Sequence, residues 1–308
     1  MKDLLEGLIL EQRPEDQPES LVRIVDAMPR YVPDEVTSGD FAIVQSARVS
    51  YGIGTKKVNE DTGLIRHLLR NKHTTPFEMA EIKWHMKMPI ATARQWIRHR
   101  TANVNEYSMR YSTAPDVKYI PKIENLRKQS KVNKQGSEGQ IDVQDAEAWI
   151  KELEAANVQC YKVYENGIAK GIGKEQARYA LNVNYYTEWY WKNDLWNTMN
   201  FLRLRMDHHA QQEIRVMANI MYSLMKPIFP ISMQAFDDFI DNNNTMALTR
   251  LDIEAMKMYL ERKEMAPADL ETIKYDVYHE IFGYTLDMKK TPSEMQEFII
   301  KMAKLGVF

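Results

Sequence analysis

Residues 94–112 concentrate the chemistry of this chain. Within nineteen positions stand four arginines (Arg94, Arg98, Arg100, Arg110), His99, Asn103, Asn105, Glu106, Tyr107 and Ser108, with no glycine or proline. Guanidinium groups at that density, in a chain of net charge −2, need anions, and phosphate suits the planar fork best. Gln95, Glu106 and Ser108 add donors and acceptors of the kind that read the edge of a base. Ser108 as a nucleophile would need an adjacent base. The nearest histidine in sequence, His99, is flanked by cations that lower its basicity. Ser108 is therefore read as a hydroxyl that hydrogen-bonds a substrate.

A second group of polar residues spans 200–213. Arg205 lies among Leu202, Leu204 and Met206, where a guanidinium needs a partner, and it is a candidate functional residue. Asn200 and Arg203 share its helix. Asp207, His208, His209 and Glu213 invite a metal reading. Neighbouring histidines on a helix point about 100° apart, however, and a site needs three or four convergent ligands, so no metal is expected. The one cysteine, Cys160, falls on an apolar helical stripe and reads as a packed thiol. A single cysteine excludes a disulfide framework and a Cys-rich zinc site, and it fits a reducing cytoplasm. There is no Gly-x-Gly-x-x-Gly and no Walker loop, so a dinucleotide, if bound, is not held by a Rossmann turn.

These residues must be positioned by regular elements. Leu21–Met28 reads as a strand, 41–49 as a short helix or turn region, and 61–72 as a helix with Leu64, Ile65, Leu68 and Leu69 at four-residue spacing. Residues 81–88 alternate Ile82, Trp84, Met86 and Met88 with Glu81, Lys83, His85 and Lys87, the pattern of a half-buried strand. From 90 to 100 the expectation is a helix with Gln95, Arg98 and His99 on one face, followed by a loop carrying Glu106, Ser108 and Arg110. Residues 118–143, rich in Lys, Gln and Gly, read as a mobile excursion. Residues 146–170 read as an amphipathic helix with Trp149, Leu153, Cys160 and Tyr164 on its apolar stripe. Residues 194–226 read as one long helix closed by Pro227 and Pro230. The tail reads as short helices at 249–263 and 291–304, the latter opened by Thr291-Pro292-Ser293-Glu294.

The chain has 308 residues, a sequence pI near 6.4 and 44% hydrophobic residues. A sizeable core is expected, and general attraction to nucleic acid or acidic membranes is not. No apolar run reaches membrane-spanning length, and the N-terminus lacks the pattern of a secretory leader. A cytoplasmic location is expected. The organisation expected is an arm at 1–20, a catalytic domain at 21–230 and a helical extension at 231–308.

Arg98-His99-Arg100 followed after seven residues by Ser108 resembles the signature of the flavin-dependent thymidylate synthases. Five blocks in family order carry the likeness: residues 73–78, residues 93–96, residues 105–112, Ala177-Arg178, and residues 200–205. The resemblance implies an α/β fold of α+β type, a mixed or antiparallel sheet flanked by helices, and a homotetramer with active sites between subunits. It implies reductive methylation of dUMP to dTMP. Methylenetetrahydrofolate gives the carbon, FAD carries the hydride and NADPH is the reductant. By position, Gln95, Arg98, Glu106, Tyr107, Ser108, Met109, Arg110, Arg178 and Arg205 match the dUMP site. Arg110 and Arg178 would hold the phosphate, and Arg205 would favour the N3-deprotonated uracil. Thr75, Arg98, His99, Arg100, Asn105, Glu106, Asp194, Trp196 and Asn200 match the FAD site, with the cations facing the pyrophosphate. His73 matches a histidine near flavin and folate, with proton transfer and stacking both open. The catalytic set is thus Arg205, His73 and Ser108.

Three positions depart from the family pattern. Leu181-Asn182-Val183-Asn184 stands where a proline is common, which should loosen a turn. Trp196 replaces a polar FAD contact; it cannot pair with phosphate and could stack on adenine. Met109 replaces a small residue beside the dUMP site and could narrow it. Two alternatives stay open: C5-hydroxymethylation of a pyrimidine nucleotide by the same cofactor, and a nucleotide- or RNA-binding protein without turnover.

Overall fold

The computed structural model describes residues 11–29, 39–49, 61–131, 136–250, 252–253 and 301. At its centre is a five-stranded antiparallel sheet in the order β1-β2-β3-β7-β4. The strands are β1 (Glu11–Gln12), β2 (Leu21–Met28), β3 (Glu81–Pro89), β4 (Asn103–Glu106) and β7 (Tyr186–Asp194). β3 forms because its apolar residues alternate: Ile82, Trp84, Met86 and Met88 are fully buried. β7 pairs with β3 over its whole length, from Glu81 opposite Asp194 to Pro89 opposite Tyr186. β7 shows the same period-two pattern, Trp189 and Trp191 alternating with Glu188 and Tyr190. The outer face of these strands carries Lys83, His85, Lys87, Glu188 and Tyr190.

One face of the sheet is covered by helices α1 (Asp40–Arg48), α2 (Asp61–Arg70), α3 (Thr75–Glu78), α4 (Ile90–Trp96), α7 (Leu195–Arg205), α8 (Gln212–Met225) and α9 (Pro230–Phe239). The core between them is aromatic at its centre. Trp96 packs with its ring centroid 4.3 Å from Phe201 and 5.8 Å from Trp191, so the end of α4 and the middle of α7 are fixed to the same spot on β7. Away from the sheet run the hairpin β5 (Arg127–Gln129) and β6 (Ser137–Gln140), the long helix α5 (Val143–Ala169) and α6 (Lys174–Ala177).

Several expectations change. The 194–226 helix is two helices. Leu195–Arg205 ends at Met206, and Gln212–Met225 starts after a break in which the Asp207 carboxylate accepts from the backbone N–H of His209 at 2.9 Å. Such side-chain-to-backbone bonds compete with the helical ladder. Pro230 opens α9 at its first turn instead of closing a helix, which its fixed φ favours. The 118–143 excursion contains a hairpin. On α5, Tyr164 is buried, Leu153 and Cys160 are half-buried, and Trp149 is 47% exposed, so the expected stripe is covered at one end only.

The chain divides into two compact units, Met1–Asn244 and Thr245–Phe308. The first runs past the expected boundary at 230 and includes α9; β1 lies within the expected arm. In the second unit Thr249 hydrogen-bonds Asp252, which also accepts from Lys301 at 2.6 Å. The rest of the two helices expected in the tail falls outside the described residues.

Candidate active site at the sheet edge

The arginine run turns from helix to strand. α4 stops at Trp96, so Arg98 and His99 do not extend a helix face with Gln95. The chain turns there, with the His99 N–H donating to the Trp96 carbonyl at 3.0 Å. Burying Trp96 against Phe201 and Trp191 anchors the end of the helix, and the run must then leave toward β4 to reach the sheet edge. Asn103–Glu106, expected as loop, is that edge strand, paired with Lys192 to Trp189 of β7. Successive residues of a strand face opposite sides. Asn105 therefore shares the outer face with Tyr190, while Glu106 lies on the inner side with Trp189. Its carboxylate accepts from the Thr187 hydroxyl at 2.6 Å.

The central contact is between Arg205 and His99. Arg205 Nε donates to His99 Nε2 at 2.9 Å. Burial, and then the neighbouring Arg205, lower the His99 pKa to about 4. His99 is therefore a neutral acceptor at pH 7 and not a cation facing phosphate. An acceptor at Nε2 leaves its ring proton on Nδ1. The edge of Phe201 holds the imidazole from the side, with centroids 4.8 Å apart. The partner that Arg205 needed among apolar neighbours is thus His99, 106 residues away in sequence.

Among the described residues, Arg94, Arg98, Arg100, Arg110, Arg178, Arg203 and Arg205 form no ion pair, whereas Arg13, Arg23, Arg48 and Arg66 each have one. A guanidinium without a carboxylate partner is available to an anion. Arg100 lines a cleft of about 280 Å³ with Thr101, Asn103, Lys192 and Asp194. Gln95 is half-buried, and its Oε1 has no hydrogen-bond partner among the described residues. A buried acceptor of this kind is normally satisfied by a ligand or water.

Other expected residues are placed as follows. His73 and Thr75 are exposed at the start of α3, which packs on α7. Asn200 accepts from Arg203 at 3.1 Å. Asp194 caps α7: its carboxylate accepts from the backbone N–H of Asn197 at 2.8 Å, and it also lines the Arg100 cleft. Trp196 is half-buried against the main core. Ser108 opens a turn, its carbonyl accepting from Tyr111 and Ser112. Met109 is 8% exposed and points into a small apolar cluster with Ala114, Tyr164 and Ala177, so its side chain is buried away from solvent. Asn182, where a proline was expected, ties its turn down through Asn157 at 2.9 Å and Cys160 at 3.4 Å.

Asp207, His208 and His209 come close together, their ligand atoms within 4.8 Å of one another. The break between α7 and α8 stacks the two rings at 3.7 Å between centroids, so the helical geometry that argued against convergence does not apply.

The fold is that of an α+β protein, an antiparallel sheet flanked by helices, with the arginine run leading into its edge strand. Residues 33–231 match the family model described as thymidylate synthase complementing protein. A flavin-dependent thymidylate synthase of Dictyostelium discoideum is 52% identical over 236 residues, 77% of each chain. One from Rickettsia conorii is 44% identical over 275 residues, covering 85% of this chain and 90% of that one. Among solved structures, the UMP/dUMP methylase PolB from Streptomyces cacaoi, bound with 5-Br dUMP, superposes with a TM-score of 0.64 at 28% identity, over 72% of this chain and 96% of that one. The chain belongs to the family of flavin-dependent thymidylate synthases.

Proposed function

We propose that this protein methylates C5 of the uracil of dUMP to give dTMP, using methylenetetrahydrofolate, FAD and NADPH, as a cytoplasmic enzyme. The observation that carries the reading is the half-buried, carboxylate-free Arg205 held by a neutral imidazole beside a run of uncompensated arginines. A guanidinium kept charged and desolvated stabilises negative charge on a planar ring, here the N3-deprotonated uracil. Arg110 and Arg178 serve as forks for the nucleotide phosphate, with the Ser108 hydroxyl beside them. Arg98 and Arg100, with the Arg100 cleft, suit the pyrophosphate of FAD. The unpartnered Gln95 Oε1 suits a ring or amide N–H. When bound, FAD reduced by NADPH would supply the hydride, a role that no amino-acid side chain fills. Glu106, oriented by Thr187, stands on the inner face of the edge strand, where it can accept a hydrogen bond from either ligand.

The family resemblance supports a homotetramer whose sites are completed across subunits. The test is direct. Purified protein is given dUMP, methylenetetrahydrofolate, FAD and NADPH, and the product is weighed. A nucleotide of dTMP mass supports the reading. A hydroxymethyl product, or no turnover by a flavin-loaded protein, refutes it. UMP in place of dUMP in the same assay decides the sugar.

A further inference from the structure

The loop 107–114 carries Ser108 and Arg110, and it has no regular structure to hold it. Helix α5 supplies the hold. The backbone N–H of Ala114 donates to the Tyr164 hydroxyl at 2.9 Å, and the Tyr161 hydroxyl donates to the carbonyl of the same alanine at 3.1 Å. Both polar groups of one backbone unit are thus gripped by tyrosines one helical turn apart. Ala114 and Tyr164 are 1% and 0% exposed, so the bond between them is shielded from water. In the middle of the loop, Lys174 of α6 donates to the Tyr111 carbonyl at 3.1 Å. Two residues before it, Met109 is buried in one cluster with Tyr164 and Ala177.

Ala177 immediately precedes Arg178. The apolar cluster therefore joins the segment bearing Arg110 to the segment bearing Arg178. Met109 points inward, and its neighbours Ser108 and Arg110 flank it on the less buried side. We propose that Tyr164, with Tyr161 and Met109, is a positioning clamp that fixes the spacing of Ser108, Arg110 and Arg178 for the phosphate of the nucleotide. This inference rests on the assignment of those arginines to the dUMP site. Two forks can share one phosphate only if their separation is held, and the side chains that hold it here belong to neither ligand site. The clamp also explains Met109: a long, flexible side chain spans the gap between loop and helix that a smaller residue would leave open.

The test uses the full-length flavin-loaded enzyme. Tyr164→Phe keeps the ring and removes the acceptor of the Ala114 N–H. KM for dUMP should rise roughly 10-fold, with kcat within about twofold of the parent and the flavin spectrum unchanged; tenfold corresponds to about 1.4 kcal/mol. Met109→Ala should raise KM in the same direction, and Met109→Leu should restore much of it. An unchanged KM in Tyr164→Phe overturns the clamp. A parallel loss of kcat, flavin and thermal stability overturns it too, because that is the signature of general support. If Tyr164→Phe does not fold, Tyr161→Phe, which removes a half-buried bond to the same residue, makes the same comparison. Arg178→Ala separates the two ideas. If it raises KM and Tyr164→Phe does not, the clamp alone fails; if it leaves KM unchanged, the phosphate assignment fails and the clamp with it.

Discussion

His99 is the residue whose role changes most between sequence and structure. The family resemblance makes it a cation facing the pyrophosphate; half-buried against Phe201 and bonded to Arg205, it is neutral. Its pKa of about 4 lies below the ordinary 6.5. Between those values the unfolded chain binds more protons than the folded one, so stability is full above pH 6.5 and falls as pH drops toward 4. The thermal midpoint of the parent should fall more steeply across that window than that of His99→Gln. Equal slopes would show that His99 is charged in the folded protein. His99→Leu removes the acceptor of Arg205 Nε and should lower kcat on the order of 10- to 100-fold, the cost of a misplaced catalytic group. Steady-state kinetics on flavin-loaded protein reads this, and an unchanged kcat would remove the pair from the chemistry.

At the scale of elements, the first residues of α1 and α9 hold each other. The buried Asp40 carboxylate accepts from the backbone N–H groups of Ile231 and Ser232 at 2.8 and 3.0 Å and from the Ser232 hydroxyl at 2.5 Å. It therefore caps a helix 190 residues further along the chain. Asp40→Ala should cost about 2 kcal/mol, since it removes a cap and leaves buried donors unpaired; chemical denaturation of the intact protein measures it. A Cβ on the adjacent Gly39 would stand 2.4 Å from Phe229 Cε1. Gly39→Ala should therefore destabilise by about 1–3 kcal/mol through overpacking. Trp96→Ala, which empties the centre of the aromatic cluster, should cost about 3–5 kcal/mol and release the end of α4 on which the arginine run depends. Loss of bound flavin with Trp96→Ala, measured by absorbance, would accompany it.

For the whole molecule, the homotetramer is tested by light scattering. Four 36.1 kDa chains give a mass of about 144 kDa, and a monomeric mass for active enzyme would exclude sites shared between subunits. A chain ending at Asn244 should retain flavin and dUMP turnover, because every residue assigned to the site lies in the first compact unit. Loss of turnover with the fold intact would give the tail a part in catalysis.

The sequence by itself determined β2, β3, α2 and the buried faces of α7 and α8, because period-two and four-residue spacings are local consequences of strand and helix geometry. It also singled out the arginine run and Arg205, whose charge among apolar neighbours required an explanation wherever the chain went. The tertiary structure decided what those residues bind to within the chain. The end of α4 at Trp96, the edge strand at 103–106 and the His99 acceptor of Arg205 all depend on contacts with β7 and α7, about 85 to 106 residues distant. Spacing along a chain carries no information about such contacts. Met109 shows the same limit at one residue: its type suggested a side chain intruding on the substrate, and only the position of Tyr164 and Ala177 turned it inward.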